Sequence, residues 1–342
     1  MKAIVYTQAG PPSVLQLVDR PVPQPGPGEV RVRVVMSGVN PTDWKARAGA
    51  APDQPLDGTE VTPNQDGAGL IDAIGEGVTG LAVGDRVWIY LAAFRRTSGT
   101  AQEYTVVPAK RVAKLPDGIG FDIGASLGVP ALTAYRARTV HEGGPTRLSP
   151  GALRAHAVLV AGGAGEVGHA AIQLARWAGA TVIATISSDE KATLARAAGA
   201  HHAVNYRDHD AAEQIRRIVP DGVDHIVDVS IAQNAALDVA VLAPLGVVAM
   251  YANDGGDVAT LPIFPNMQVN ARYQFILGYF IPETLVAGAL EDITAALRDG
   301  ALPIGEHGGL PITRFPLART ADAHAAVEAG TVGRVLIDVQ PE

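Results

Sequence analysis

Apolar and polar positions follow two different rhythms along the chain, and the change falls near Phe121. Before it the rhythm is two-fold. Ala3-Ile4-Val5-Tyr6 and Leu15 to Val18 read as short strands, and Val30, Val32 and Val34 set against Arg31 and Arg33 read as a half-buried one. Leu70 to Ile74, Gly84 to Ile89 and Gln102 to Val107 continue the series between glycine turns, which predicts a compact barrel-like β domain. Pro21, Pro23, Pro25 and Pro27 form a stiff connector ending at Gly28. The segments GVNPTDWKARAG (38–49) and PNQDGAG (63–69) are loops rich in functional side chains.

After Phe121 the texture is alanine-rich and the period helical. Ile123 to Arg138 reads as helix, with Pro130 starting a new one or bending it. Strands at Val158–Ala161, Thr181–Ile186, Ala203–Tyr206, His225–Val229, Val247–Tyr251 and Phe275–Tyr279 are separated in the first part by helices at His169–Ala178, Lys191–Ala198, Ala211–Val219 and Asn234–Leu242. That alternation predicts an α/β doubly wound parallel sheet. The tail carries an amphipathic helix with Leu290, Ile293 and Leu297 on one face. A short alanine-rich helix follows, then a last strand, Arg334–Val339, expected to return to the first domain.

The strand at 158–161 runs into Gly163-Ala164-Gly165-Glu166-Val167-Gly168, a G-x-G-x-x-G that opens a helix. Strand, glycine turn and helix in that order are the context of a dinucleotide-binding turn. On this reading Gly163 permits the tight turn, Gly165 lets backbone approach a pyrophosphate, and Gly168 lets the helix pack closely on the sheet. The helix end offers N–H groups and partial positive charge to phosphates. An ordinary strand-to-helix turn is the competing reading in a chain with 38 glycines.

Length and composition narrow the class. At 342 residues two domains are expected, and 47% hydrophobic with 18% charged residues suits a globular chain with a large core. A formal net charge of −8 argues against a nucleic-acid backbone or an anionic membrane as main partner. No apolar run approaches a membrane span, and the first residues enter a strand pattern with no signal-peptide core. The absence of cysteine excludes disulfides, thiolate zinc sites and a cysteine nucleophile, and suits a cytoplasmic protein.

The glycine motif, GVNPTDWKARAG, PNQDGAGLIDAIGEGV, GDRVW, VPALTAY and the closing GTVGRVLI together resemble the medium-chain dehydrogenase/reductase superfamily, within it the zinc-free quinone oxidoreductase or zeta-crystallin group. The blocks stand in the family's order over nearly the whole chain. The resemblance implies a GroES-like domain built from residues 1–126 and 283–342, with a Rossmann domain at 127–282 between them. It also implies sheet-edge homodimers. Zinc-dependent relatives place cysteine and histidine where this chain has Asn40 and Gln65, neither a plausible Zn²⁺ ligand. No metal site is expected. Without a Lewis acid, alcohol dehydrogenase chemistry is disfavoured. Hydride transfer to a quinone or an α,β-unsaturated carbonyl needs only orientation and a hydrogen-bond donor.

The cofactor expected is NADPH. About 20 positions beyond the turn, where an NAD fold carries an acid for the ribose, stand Ser187 and Ser188, with Lys191 near. Hydroxyls and a lysine suit a 2′-phosphate. Asp189 is the dissent, as a ribose carboxylate or a helix N-cap. The resemblance adds Tyr206 on the phosphate side, with Arg207 as a helper. Glu166 departs from the small residue usual at its place. At the reacting end the resemblance points to Thr133, Tyr251, Gly278, Phe280 and Arg334 on the cofactor. Asn40, Thr42, Asp43, Trp44 and Lys45 should line the substrate cleft, with Asn40 and Lys45 as donors to the substrate carbonyl. Asp43 and Asp66 read better as holding glycine-rich backbone. Two other functions compete. One is an enoyl-thioester reductase, for which Arg95, Arg96 and Arg111 are a sparse basic patch. The other is an NADPH-binding protein without turnover.

Overall fold

The computed structural model describes residues 1–50, 58–141, 143–208 and 210–341. The chain divides into two compact units, Met1–Val129 with Ile312–Glu342, and Pro130–Pro311.

In the first unit β1 (Lys2–Val5) and β2 (Gln16–Asp19) form an antiparallel pair. Then follow β3 (Glu29–Val39), α1 (Pro41–Lys45), β4 (Asp66–Ile74), β5 (Arg86–Ile89), β6 (Tyr104–Pro108), β7 (Val112–Lys114) and α2 (Phe121–Gly124). Val30, Val32 and Val34 of β3 are fully buried while Arg31 and Arg33 are not, as the two-fold pattern requires. Burying each such side chain contributes roughly 1.5–3 kcal/mol.

The second unit begins within α3 (Gly128–Thr139), which Pro130 enters at its third position. It continues with β8 (Ala157–Ala161), α4 (Glu166–Trp177), β9 (Thr181–Ile186), α5 (Asp189–Ala197), β10 (His202–Asn205), α6 (Ala211–Ile218) and β11 (Val223–Asp228). After these come α7 (Ile231–Val241), β12 (Leu242–Met250), α8 (Ile263–Val269), β13 (Arg272–Phe275) and α9 (Glu283–Arg298). The six strands pair in parallel throughout, in the order β10-β9-β8-β11-β12-β13. This is the doubly wound arrangement. Helices on both faces explain why β8 is apolar and buried at every position.

The chain then returns to the first unit with β14 (Ile312–Pro316), α10 (Thr320–Glu328) and β15 (Arg334–Asp338). β15 lies antiparallel to β3, with Val335 opposite Val39 and Leu336 opposite Gly38, and so joins the sheet β14-β15-β3-β4-β5-β7. The return therefore starts at 312 rather than 283. Residues 283–311 stay with the second unit because their side chains and carbonyls are fastened there. Asp292 of α9 accepts from the Tyr135 hydroxyl at 2.6 Å and from the Leu148 amide at 2.9 Å, and Trp177 donates to Asp299 at 2.8 Å. Gln173 donates to the Pro303 carbonyl, and the His169 Nε2–H to that of Gly308, both at 2.7 Å. Among the described residues no helix is long and apolar enough to cross a membrane.

Candidate functional site

In the parallel unit the expected nucleotide residues gather at one end of the sheet, beyond the carboxyl ends of the strands. β8 leaves its last residue into Gly162, which has φ +68°, so Gly162 and not Gly163 supplies the left-handed turn. Gly163 is needed for closeness instead. A Cβ there would stand 2.7 Å from the Ala184 methyl and 3.1 Å from Ile172. Gly168 is closer still, since its Cβ would overlap the Gly162 carbonyl oxygen. Gly165 is different: it is exposed, and a Cβ would meet only the Gly162 oxygen, at 3.4 Å. As N-cap of α4 it brings no side chain to the helix end. The N–H groups of the first turn, residues 166–168, have no intrahelical acceptor there. A cradle of bare backbone with open space above Gly165 fits a diphosphate. Ala164 is buried beneath it, Val167 and Glu166 are half-buried, and Glu166 is the acid of the first turn.

At the end of β9, Ser188 rather than Asp189 caps α5, its Oγ accepting from the Lys191 amide at 3.3 Å. Asp189 is the first helical residue and exposed. Ser187 and Lys191 are half-buried. The Tyr206 amide donates to the Ile186 carbonyl at 3.1 Å, which sets Tyr206, exposed and followed by exposed Arg207, beside the end of β9. Ser187, Ser188, Lys191 and Tyr206 thus share one corner.

Thr133, buried on α3, and Gly278 also meet: a Cβ on Gly278 would lie 3.1 Å from the Thr133 hydroxyl. Gly278–Phe280 is a 3₁₀ turn after β13 and not a strand end, and Phe280 is exposed. The Tyr251 amide follows β12 and donates to the Asp228 carbonyl at 3.1 Å. Burial, then the Asp228 and Asp254 charges, raise its hydroxyl above the ordinary tyrosine range.

In the β unit two expectations are corrected. Asn40 is 1% exposed and both ends of its amide are taken: Nδ2 donates to Asp66 at 2.8 Å and Oδ1 accepts from Arg334 at 2.7 Å. Arg334 is fully buried. It also donates to Asp66 at 3.2 Å and to the carbonyls of Ala125 (2.7 Å) and Val39 (3.3 Å). Both side chains are committed to one buried network. Asp66 completes it by accepting the Val129 amide at 2.9 Å. Burial lifts the Asp66 carboxyl above its usual range, opposed first by Arg334. Asp43 accepts from the amides of Asn40 (2.7 Å) and Gln65 (3.1 Å), and burial pushes it to about 8.

What α1 leaves for a ligand is Thr42, Trp44 and Lys45. All three are half-buried, with the Lys45 ammonium 6.0 Å from the Trp44 ring centre. The Thr42 hydroxyl and the Gln65 side-chain oxygen Oε1 are enclosed without a hydrogen-bond partner, an unmet demand that a bound polar group can satisfy. In the sequence Gln65 stands out only as the residue in place of a zinc-ligating histidine, not as a hydrogen-bonding group for a ligand. The basic residues of the 91–111 stretch are occupied in holding it. Arg111 donates to the carbonyls of Leu91 and Phe94, Arg96 pairs with Glu29 at 2.9 Å, and Arg95 lies over the Phe94 ring.

The chain matches the zinc-binding dehydrogenase family over residues 167–295 and the alcohol dehydrogenase GroES-like domain over residues 26–117. The human quinone oxidoreductase is 31% identical over 344 residues, covering 98% of this chain and 97% of that one. Among solved structures, an NAD-dependent alcohol dehydrogenase superposes with TM-score 0.84 at 29% identity, over 99% of this chain and 100% of that one. The Escherichia coli quinone oxidoreductase complexed with NADPH does so with TM-score 0.80 at 25% identity, with the same coverage.

Proposed function

Because the chain belongs to the quinone oxidoreductase group of the medium-chain dehydrogenase/reductase superfamily, we propose that it is an NADPH-dependent reductase of quinones or α,β-unsaturated carbonyls. The observation that carries the reading is the bare backbone cradle at Gly162–Gly168, open only above Gly165. When bound, NADPH supplies the hydride that reduces the acceptor. The chain's own work is to bind and orient. The amides of residues 166–168 and the α4 dipole hold the diphosphate. Ser187, Ser188, Lys191 and Tyr206 hold the 2′-phosphate, and the Ser188 proton remains available because its oxygen acts as acceptor in the cap. Thr133, Gly278 and Tyr251 serve the nicotinamide side. Lys45, with the unpartnered Thr42 hydroxyl, donates to the substrate oxygen on which charge develops.

The reading is zinc-free. In support, the Arg334 guanidinium sits on Asn40 and Asp66, and a fixed positive charge there opposes a dication. It also takes the protein as a homodimer that pairs through the β13 edge. Phe275 is 75% exposed there, and Ile263, Phe264 and Met267 are exposed on α8, which Tyr273 of β13 reaches through Asn266. A chain without cysteine suits the reducing cytoplasm.

The test is NADPH consumption with a panel of quinones and enones in the presence of a chelator. Turnover with at least one acceptor, unchanged by the chelator, is expected. NADPH binding without consumption across the panel would select a non-catalytic nucleotide-binding role instead.

A further inference from the structure

Arg138, the last residue but one of α3, is completely buried, yet its Nε, Nη1 and Nη2 have no hydrogen-bond partner. His225, the third residue of β11, is also buried and leaves its Nε2 unpartnered. His141 lies against it with ring centres 4.6 Å apart, and its enclosed Nδ1 is unpartnered too. Three neighbouring side chains therefore leave five enclosed nitrogens without a hydrogen-bond partner. The charges around them share a sign. Arg138 and Arg272 bring positive charge to His141, and Arg138 brings it to His225. Among the described residues no carboxylate pairs with Arg138.

An arginine does not escape burial by losing its proton. Desolvation lowers Arg138 only to about 9, so the guanidinium is charged at neutral pH. A buried charge without a counter-charge is heavily destabilising. Water can satisfy the N–H groups but brings no negative charge. His141 can present its Nδ1–H toward an acceptor by choice of tautomer, whereas His225 holds its Nδ1–H on the Ala137 carbonyl, so the N–H groups free for an acceptor are those of Arg138 and His141. The region lies toward the start of β11, whereas the nucleotide residues lie beyond the strands' other ends. Cofactor phosphates therefore do not supply the charge.

We propose that Arg138, His141 and His225 enclose a small monovalent anion, such as chloride, as a structural counter-ion of the parallel-sheet unit. The site is distinct from the nucleotide turn and independent of the reductase reading.

The test compares protein unfolded and refolded in sodium gluconate with the same protein given chloride or bromide at constant ionic strength. A saturable rise in Tm of roughly 5 °C is expected with either halide. Crystals soaked in bromide should show an anomalous peak in contact with the Arg138 guanidinium. Arg138→Met should abolish the halide dependence, and His141→Gln should raise the half-saturating concentration. If Arg138→Met does not fold, the wild-type titration and His141→Gln decide alone. Equal Tm in gluconate and halide, with bromide at surface positions only, would overturn the proposal.

Discussion

Gly165→Ala separates the fold from the cofactor at a single atom. The new methyl would have one neighbour, the Gly162 oxygen at 3.4 Å, and the backbone at 165 has φ −83°, which alanine adopts freely. Alanine is a poorer N-cap than glycine, by about 0.5–1 kcal/mol. It also restricts the unfolded chain, which returns about 0.4–1 kcal/mol. These offset, and stability should stay within ~0.5 kcal/mol of wild type. For the cofactor the methyl fills the space above the amides of residues 166–168. Losing one charge-assisted hydrogen bond costs about 1.5–3 kcal/mol, which is roughly a 10- to 100-fold rise in the NADPH Kd. Gly168→Ala should do the reverse. Its Cβ would overlap the Gly162 oxygen and lie 3.1 Å from Gly163 Cα, backbone that cannot swing aside, so about 1–3 kcal/mol of stability should go. Nucleotide fluorescence titration and urea unfolding read the two effects. A Gly165→Ala protein that is folded and binds NADPH within twofold of wild type would refute the cradle.

Lys191→Ala should weaken NADPH about tenfold and leave NADH unchanged, since only the phosphorylated ribose uses the ammonium; equal losses in paired titrations would remove that pocket. Lys45→Met should lower kcat/KM for a quinone roughly 10-fold or more with an unchanged urea midpoint; unchanged kinetics would return Lys45 to the surface. Arg334→Met should cost about 3–5 kcal/mol by stranding Asp66 and the Ala125 carbonyl; a loss below ~1 kcal/mol by urea unfolding would contradict the anchoring role. His169 is held down to about 4 by burial, against 6.5 when unfolded. Below pH 6.5 the unfolded chain therefore takes up the proton and the folded one does not, so stability falls with pH. His169 should account for about 2 kcal/mol of that loss between pH 7 and 5. His169→Gln, which can still donate to the Gly308 carbonyl, should flatten the pH profile, and a superimposable profile would contradict this.

The parallel sheet was legible because its strands are buried on both faces and its helices are punctuated by glycine and proline. The turn was legible as a motif, but the residue at positive φ was misassigned. The pair Gly162-Gly163 offers two candidates, and only the path of the backbone chooses Gly162. Arg334 was misplaced for a deeper reason. An arginine opening a late strand reads as exposed or ligand-facing. Its burial depends on Gly38, whose absent Cβ leaves the space that the guanidinium fills, and on the Asp66 carboxylate. Those residues meet only because β15 pairs with β3, a contact no local pattern encodes. Asn40 was misread with it, since its amide is consumed by the same pair. The limit at 283 failed likewise: α9 looks like a generic amphipathic helix, and Asp292, its fastening point, is one acid among many until Tyr135 and Arg147 are seen to reach it.

The most direct test of the account is a calorimetric titration of the purified wild-type chain with NADPH and then NADH, with zinc content measured on the same sample. One NADPH site per chain, at least tenfold weaker NADH and no stoichiometric zinc are predicted. Failure to bind either nucleotide, or one zinc per chain, would contradict it.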